Sequence, residues 1–245
     1  MVEIRNISKS FENNIVLDRL NLELKDHEVH SVIGESGAGK SVMIKIIIGL
    51  IKPDSGKIII DDEDITDYTE NQLNERVRLK IGMVYQNGAL WDSMTIGENL
   101  KLVLQLKKVL SEEEINLKVK ESLEMVEMPD FENKYPEELS GGMKRRISIA
   151  RAIILKPKYI IYDEPTTGLD PVLINTIDNL IIKLNEEQDI TSLIISHNIK
   201  SAERISNRIS MIYQGKIIHT CDAEELWNQD NEIFNKFIHG DITYK

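Results

Sequence analysis

The sequence predicts an α/β fold with an inserted α-helical lobe, and three observations lead there. Four short apolar runs, "VHSVIG" (29–34), "IGMVYQ" (81–86), "YIIYDE" (159–164) and "TSLIIS" (191–196), have the length and continuity of parallel strands buried on both faces. Two N-terminal stretches, "VEIRNIS" (2–8) and "IVLDRLNLEL" (15–24), instead alternate apolar and polar residues, the pattern of half-buried antiparallel strands. Between the second and third apolar runs, residues 87–155 place apolar side chains at helical spacing.

The elements follow in chain order. The two alternating strands lead into the run 29–34, which is followed by the glycine-rich "GESGAGKS" and a helical pattern that starts near Lys40. Within the lobe, "SEEEINLKVKESLEMV" opens on a capping box, Ser111 with Glu114 three residues on, and then repeats Ile115, Val119, Leu123 and Val126. Pro129 and Pro136 punctuate its exit. A second lobe helix starts after Ser140, carries Met143, Ile147, Ile149 and Ile154, and stops before Pro157. Further on, Asp170 and Pro171 have the residue types of an N-cap and first helical position for a long helix. "RISMIYQGKIIH" reads as a hairpin turning at Gln214 and Gly215. The tail reads as two short helices with Leu226, Trp227, Ile233, Phe234 and Phe237 packed on the core. The expected organisation is a single domain over 1–245, with 1–86 and 156–245 forming the core and 87–155 the lobe.

Composition narrows the function classes. Hydrophobic residues make up 41% and charged residues 29% of the 245, which fits a folded globular chain rather than a disordered or fibrous one. The 41 acidic residues outnumber 30 basic ones, and a net charge of -11 opposes non-specific nucleic-acid binding, which needs a positive field. Cys221 is the single cysteine, so an intrachain disulfide is excluded and a cytosolic setting is expected. The apolar run "IKIIIGLI" (44–51) is too short to span a bilayer and carries Lys45, and "MVEIRNISKS" lacks the apolar centre of a targeting segment.

"GESGAGKS" satisfies G-x-x-x-x-G-K-[ST] at every fixed position and lies between an expected strand and an expected helix. Its residues, Gly34, Glu35, Ser36, Gly37, Ala38, Gly39, Lys40 and Ser41, with Val42 following, form a candidate cradle for nucleotide phosphates. Lys40 is placed to reach the β- and γ-phosphates of ATP, and the Ser41 hydroxyl to ligate Mg²⁺. The run 159–164 ends in two carboxylates at the carboxyl edge of the sheet, where such sheets bind their ligands. Asp163 is the expected metal partner of Ser41. Glu164, one residue past the strand, is expected to polarise the attacking water. "LSGGM" (139–143) carries no acid, histidine or cysteine, yet its hydroxyl, open amides and following helix make a second anion site.

The phosphate loop, "LSGGM" and "DEPTTGLD", in this order and spacing, resemble the nucleotide-binding subunits of ABC transporters over essentially the whole chain. The resemblance implies a P-loop NTPase fold, a RecA-like core with an antiparallel β subdomain, and ATP hydrolysis coupled to transport. It makes Leu139, Ser140, Gly141, Gly142 and Met143 the signature motif and Gln86 the glutamine of the Q-loop, which joins the Mg²⁺ shell. It places Gly168, Leu169 and Asp170 in the D-loop begun by Thr167, makes His197 the switch histidine, and puts Phe11, with Val16 nearby, where an aromatic stacks on adenine. A core role for Phe11 stays open. The other histidines, His27, His30, His219 and His239, read as structural or exposed. The family's head-to-tail pairing implies that a second copy supplies the signature motif to each ATP.

Met143 stands where most of the family has glutamine. Together with "NGALWDSMTIGENL" (87–100), "SGGMKRR" (140–146) resembles ATPases paired with MCE-domain proteins, the Mla type, which move phospholipids or other lipids. That implies an integral-membrane permease and an MCE-domain protein as partners, on the cytoplasmic face of the inner membrane, with Leu90, Trp91 and Met94 as permease contacts or as lobe core. An amino-acid importer, a lipoprotein-release system and a nontransport ABC protein remain alternatives, because cargo is chosen by subunits other than this one.

Overall fold

The computed structural model describes residues 1–105 and 110–240. In chain order the elements are β1 (Val2–Phe11), β2 (Asn14–Leu24), β3 (Val29–Ile33), α1 (Lys40–Ile47), β4 (Ser55–Ile60), β5 (Glu63–Asp64) and α2 (Glu70–Gln72). They continue as β6 (Ile81–Val84), α3 (Ile96–Gln105), α4 (Glu112–Met125), α5 (Gly141–Ile153), β7 (Tyr159–Asp163) and α6 (Pro171–Gln188). The last are β8 (Thr191–Ser196), α7 (Ile199–Ile205), β9 (Arg208–Tyr213), β10 (Lys216–Asp222) and α8 (Glu232–His239).

Two sheets form. One is antiparallel, in the order β2-β1-β4-β5; the other has six strands in the order β10-β9-β3-β8-β7-β6. Within the second, β6, β7, β8, β3 and β9 run parallel, and β10 returns antiparallel along β9.

Burial explains why the parallel strands read as unbroken apolar runs. On β7, Tyr159 and Ile161 face a core shared with α1 and the antiparallel sheet, while Ile160 and Tyr162 face the core shared with α3, α4 and α5. On β8, Leu193 and Ile195 face the first core and Ile194 the second. Both faces of the pleat are therefore dry, and alternation disappears. Helix α1 is held between the two sheets by Met43, Ile44, Ile46 and Ile47, so the segment after Gly39 is anchored from both sides.

The capped starts fall where the sequence places them. Ser111 and Glu114 form the reciprocal box of α4, Ser140 caps α5, and Asp170 caps α6 ahead of Pro171. The structure also departs from the sequence reading. Strands β4 and β5 and helix α3 have no counterpart in it. "KIII" alternates too little to signal a strand, yet Ile58 and Ile60 face the core while Lys57 and Ile59 point away more. The tail corrects the expectation of two helices. A single 3₁₀ turn (Ala223–Glu225) precedes α8. Leu226 and Phe234 are buried and Phe237 packs beside them, but Ile233 lies on the outer face of α8, and Trp227, which precedes that helix, is exposed with its indole N–H donating to Glu203 at 2.7 Å. Residues 241–245 of that tail and residues 106–109 of the lobe lie outside the described part. Among the described residues no helix is long and apolar enough to cross a membrane.

Candidate functional site

Strands β3, β8, β7 and β6 are neighbours and parallel, so their carboxyl ends share one edge of the sheet. Ile33 is level with Ser196, Asp163 with Ile195, and Val84 with Tyr162. That register brings the loop from Gly34, His197, the Asp163-Glu164 pair and the segment leading to Gln86 to the same edge, though they are far apart in the chain.

The loop geometry depends on two glycines in particular. At Gly34 a Cβ would collide with the carbonyl oxygen of Ile212 on β9. At Gly39 the backbone sits at φ +106°, and a Cβ would lie 2.6 Å from Leu17 Cδ2 and 2.9 Å from the Val16 carbonyl. The chain thus wraps tightly against its own core before α1 begins, and the first amides of that helix face outward. Lys40 is only 7% exposed; its Nζ donates to the carbonyls of Gly34 at 2.6 Å and Glu35 at 2.7 Å. Burial lowers the Lys40 pKa, while Glu164, Asp163 and Glu35 act to hold the charge. Val16, Ser36, Gly37, Gly39, Lys40, Ser41, Val42 and Glu164 line an open cleft.

The two carboxylates differ in their surroundings. Asp163 has its pKa raised, first by burial and then by Glu164, against the pull of Lys40 and Lys45. Its side chain has no hydrogen-bond partner among the described residues. Glu164 adopts φ +50°, a left-handed conformation costly for a residue with a side chain. Its amide donates to the Ile195 carbonyl at 2.9 Å, and its Oε2 accepts from Thr167 Oγ1 at 2.9 Å. His197 Nδ1 lies 3.4 Å from the same oxygen. The turn therefore aims the carboxylate into the cleft while its neighbour stays on the strand.

The remaining sequence candidates lie around this centre. Gln86 is exposed just beyond β6. Phe11, 44% exposed at the end of β1 with Lys9 Nζ 5.5 Å from its ring centroid, is not part of the core. Leu139 is buried, and Ser140 is exposed with its Oγ accepting from the Met143 amide at 3.3 Å, which leaves the hydroxyl hydrogen free to donate. Gly142 packs against Leu173 and Gly141 faces Leu169. Asp170 caps α6 by accepting from Val172 and Leu173 amides at 2.9 and 3.0 Å, while Gly168 turns at φ +78°. Neither Phe11 nor residues 139–143 line the cleft around Lys40.

Sequence reasoning missed two arginines on α5. Arg145 and Arg151 are both buried, and their guanidiniums donate to backbone carbonyls of 85–89 and, for Arg145, of Thr167. The available signal was spacing, since Gly142, Arg145 and Ile149 share one helical face and all three are buried.

A lysine-bearing phosphate loop beside a strand-end carboxylate pair defines a nucleoside-triphosphate hydrolase of the P-loop class. Residues 17–167 match the family model described as ABC transporter, and the chain belongs to that family. Over 243 residues it is 35% identical to the methionine import ATP-binding protein MetN of Legionella pneumophila (strain Lens), covering 99% of this chain and 71% of the relative. It is 37% identical over 246 residues to the Fe(3+) ions import ATP-binding protein FbpC of Photorhabdus laumondii, covering 99% and 67%. With the probable ribonucleotide transport ATP-binding protein mkl of Mycobacterium leprae (strain TN) it shares 35% over 239 residues, 98% and 69% of the two chains. The dimeric ATP-binding cassette MJ0796 bound to ADP and Pi superposes with a TM-score of 0.83 at 34% identity, covering 91% of this chain and 99% of the other. The protein is an ATP-binding, ATP-hydrolysing subunit of an ABC transporter, and its two-sheet core with a helical region is the fold of that family.

Proposed function

We propose that two copies of this chain close head to tail around two ATP molecules and drive an importer's permease. The observation that carries this reading is the separation of two anion-binding surfaces. Lys40, Ser41 and Glu164 line one cleft, whereas the α5 N-terminus, with Ser140 and the amides of Gly141 and Gly142, faces elsewhere. A second copy would bring that N-terminus to the first cleft, and the Ser140 hydroxyl can donate to a γ-phosphate without leaving its own cap. The solved dimeric cassette with ADP and Pi supports the pairing.

In the cleft, Lys40 exchanges its loop carbonyls for phosphate oxygens, and the loop amides bind the rest of the triphosphate. The Glu164 carboxylate, held by the Thr167 hydroxyl, takes a proton from the attacking water, and His197 donates to the leaving phosphate. Phe11 and Val16 receive the adenine. Ser41, Asp163 and Gln86 offer the hard oxygen donors that Mg²⁺ takes, and Asp163, whose charged form is disfavoured by burial and by Glu164, fits a nearby cation. Bound there with ATP, the metal would neutralise phosphate charge. Hydrolysis then removes the γ-phosphate bridge and opens the pair. The Gly168–Asp170 segment lies between the two centres of the closed dimer.

The permease docks in the groove beside β6, on the cytoplasmic face of the membrane. Tyr85 and Trp91 are 40% and 48% exposed there, Leu155 and Pro157 form the floor, and Arg151 lies 5.7 Å from the Trp91 ring. Met94 is half-buried and Leu90 packs into the lobe's core, so Trp91 is the chief contact of the three. The core and lobe divide at 86/87 and 155/156 as the unit that moves on closure.

Import of a small solute is supported by the names of the methionine, iron and ribonucleotide relatives. A second reading, lipid transport with an MCE-domain partner, is favoured by residues 87–100 and Met143-Lys144-Arg145-Arg146. Copurification decides between them: a solute-binding protein on the complex supports the first, an MCE-domain protein the second. The dimer itself is tested with mixed pairs in which one copy carries Ser140→Arg. The ATP site of the unmutated copy should fail, and damage restricted to the mutated copy's own phosphate loop would overturn the head-to-tail arrangement.

A further inference from the structure

We propose that Arg145 is a positioning residue for ATP hydrolysis, tying helix α5 to the peptide that carries Gln86 and to the turn that carries Glu164. This deepens the reading above and rests on it.

The guanidinium is 6% exposed and reaches two segments that are distant in sequence. Nη1 donates to the Tyr85 carbonyl at 2.9 Å, the oxygen of the peptide unit whose nitrogen belongs to Gln86. Nη2 donates to the Thr167 carbonyl at 3.3 Å. The Thr167 hydroxyl in turn holds Glu164 Oε2 at 2.9 Å. One planar group thus fixes the orientation of the Gln86 backbone and, through one intermediate residue, the Glu164 carboxylate. It does so from the helix whose first turn is the signature motif, five residues upstream at Ser140.

Chemistry favours positioning over packing alone. No carboxylate pairs with Arg145 among the described residues, and its Nε is buried without a partner. A cation buried against carbonyls only is a poor device for stability. It is a good device for geometry, because the guanidinium presents its donors in a rigid fork. The neighbouring Arg151 is buried on the same helix, but its hydrogen bonds among the described residues go to Gly88 and Ala89 and its guanidinium lies over Trp91, away from Thr167. Among the described residues, Arg145 is the side chain on α5 that hydrogen-bonds both the Gln86 segment and the Glu164 turn. A rotation of α5 is therefore felt by both site residues at once.

The test is steady-state phosphate release from the full chain with Mg²⁺ and varied ATP, using Arg145→Lys and Arg145→Met. Fluorescent-nucleotide binding and thermal melting are measured alongside, with Glu164→Gln as reference. Lysine keeps the charge and loses the fork. Arg145→Lys should hold ATP affinity within about twofold and melt close to the parent, while kcat falls roughly 10- to 100-fold, the scale of a small misplacement of reacting groups. Arg145→Met should fall at least as far in kcat. Normal kcat in Arg145→Lys, with Glu164→Gln inactive, overturns the proposal alone. So does a kcat loss matched in both variants by equal losses of ATP affinity and melting temperature, which is a purely structural role. Normal turnover in Glu164→Gln overturns the underlying assignment and this proposal with it.

Discussion

Asp163→Asn should make the protein more stable while disabling it. Burial and the adjacent Glu164 raise the Asp163 pKa, and Lys40 and Lys45 offset this only in part. The folded state therefore binds a proton on Asp163 more readily than the unfolded chain does. Stability must fall as pH rises from the usual carboxylate range through the raised value, and above that value the full penalty is present. Asparagine keeps the shape and removes the charge, and no hydrogen bond to the carboxylate is lost among the described residues. Because Asp163 is only partly buried and two lysines oppose the penalty, the relief belongs near the middle of the range for stabilising substitutions, about 1 kcal/mol. For a domain of this size that raises the melting temperature by about 2–4 °C. The assay is thermal melting without nucleotide at about pH 8 and again at about pH 4.5, where the gain should shrink because the wild-type carboxyl is taking up its proton. Mg²⁺ with ATP should stabilise wild type more than the variant, reversing the order. A variant less stable than wild type near neutral pH, or a gain that grows on acidification, would refute the reasoning.

Glu164→Gln should reduce ATP turnover by about 10² to 10⁴ while ATP binding persists, as expected for loss of a general base; phosphate release against nucleotide binding separates the two. Gly39→Ala should abolish phosphate-loop function and destabilise the fold by about 1–3 kcal/mol, since a side chain meets both a strained φ and Leu17; denaturant unfolding reads this directly. Asp178, fully buried, accepts from Ser201 and pairs with Arg204, joining α6 to the helix that follows His197. Asp178→Ala should cost about 1–3 kcal/mol by leaving the buried Ser201 hydroxyl without its acceptor, since the exposed Arg204 keeps Asn175 and water as partners, and a melting temperature unchanged from wild type would contradict that.

Much of the fold was legible because it is written in local chemistry. The buried parallel strands announced themselves as apolar runs, and Ser111, Ser140 and Asp170 announced helix starts through their own side chains. What stayed hidden depended on partners distant in the chain. Strand β4 exists because β1 pairs with it, and no feature of "SGKIII" states that pairing. Ile233 has the apolar character of a core residue, yet only the placement of α8 on Leu226 and Met211 decides which stripe is covered.

The site divides the same way. Sequence alone marked the phosphate loop and the carboxylate pair after β7 as candidates, because a lysine in a glycine loop or a strand-end acid can do few other things at such spacings, and it marked residues 139–143 through their resemblance to a family motif. Only tertiary structure decided that Thr167 and His197 converge on one oxygen of Glu164, that Asp163 has no hydrogen-bond partner among the described residues, and that Arg145 bridges two loops. Those facts follow from the parallel order β3-β8-β7-β6 and from α5 packing behind β6, which are set by the burial of two apolar faces at once. A motif fixes which atoms are available; the packing of distant segments fixes which atoms meet.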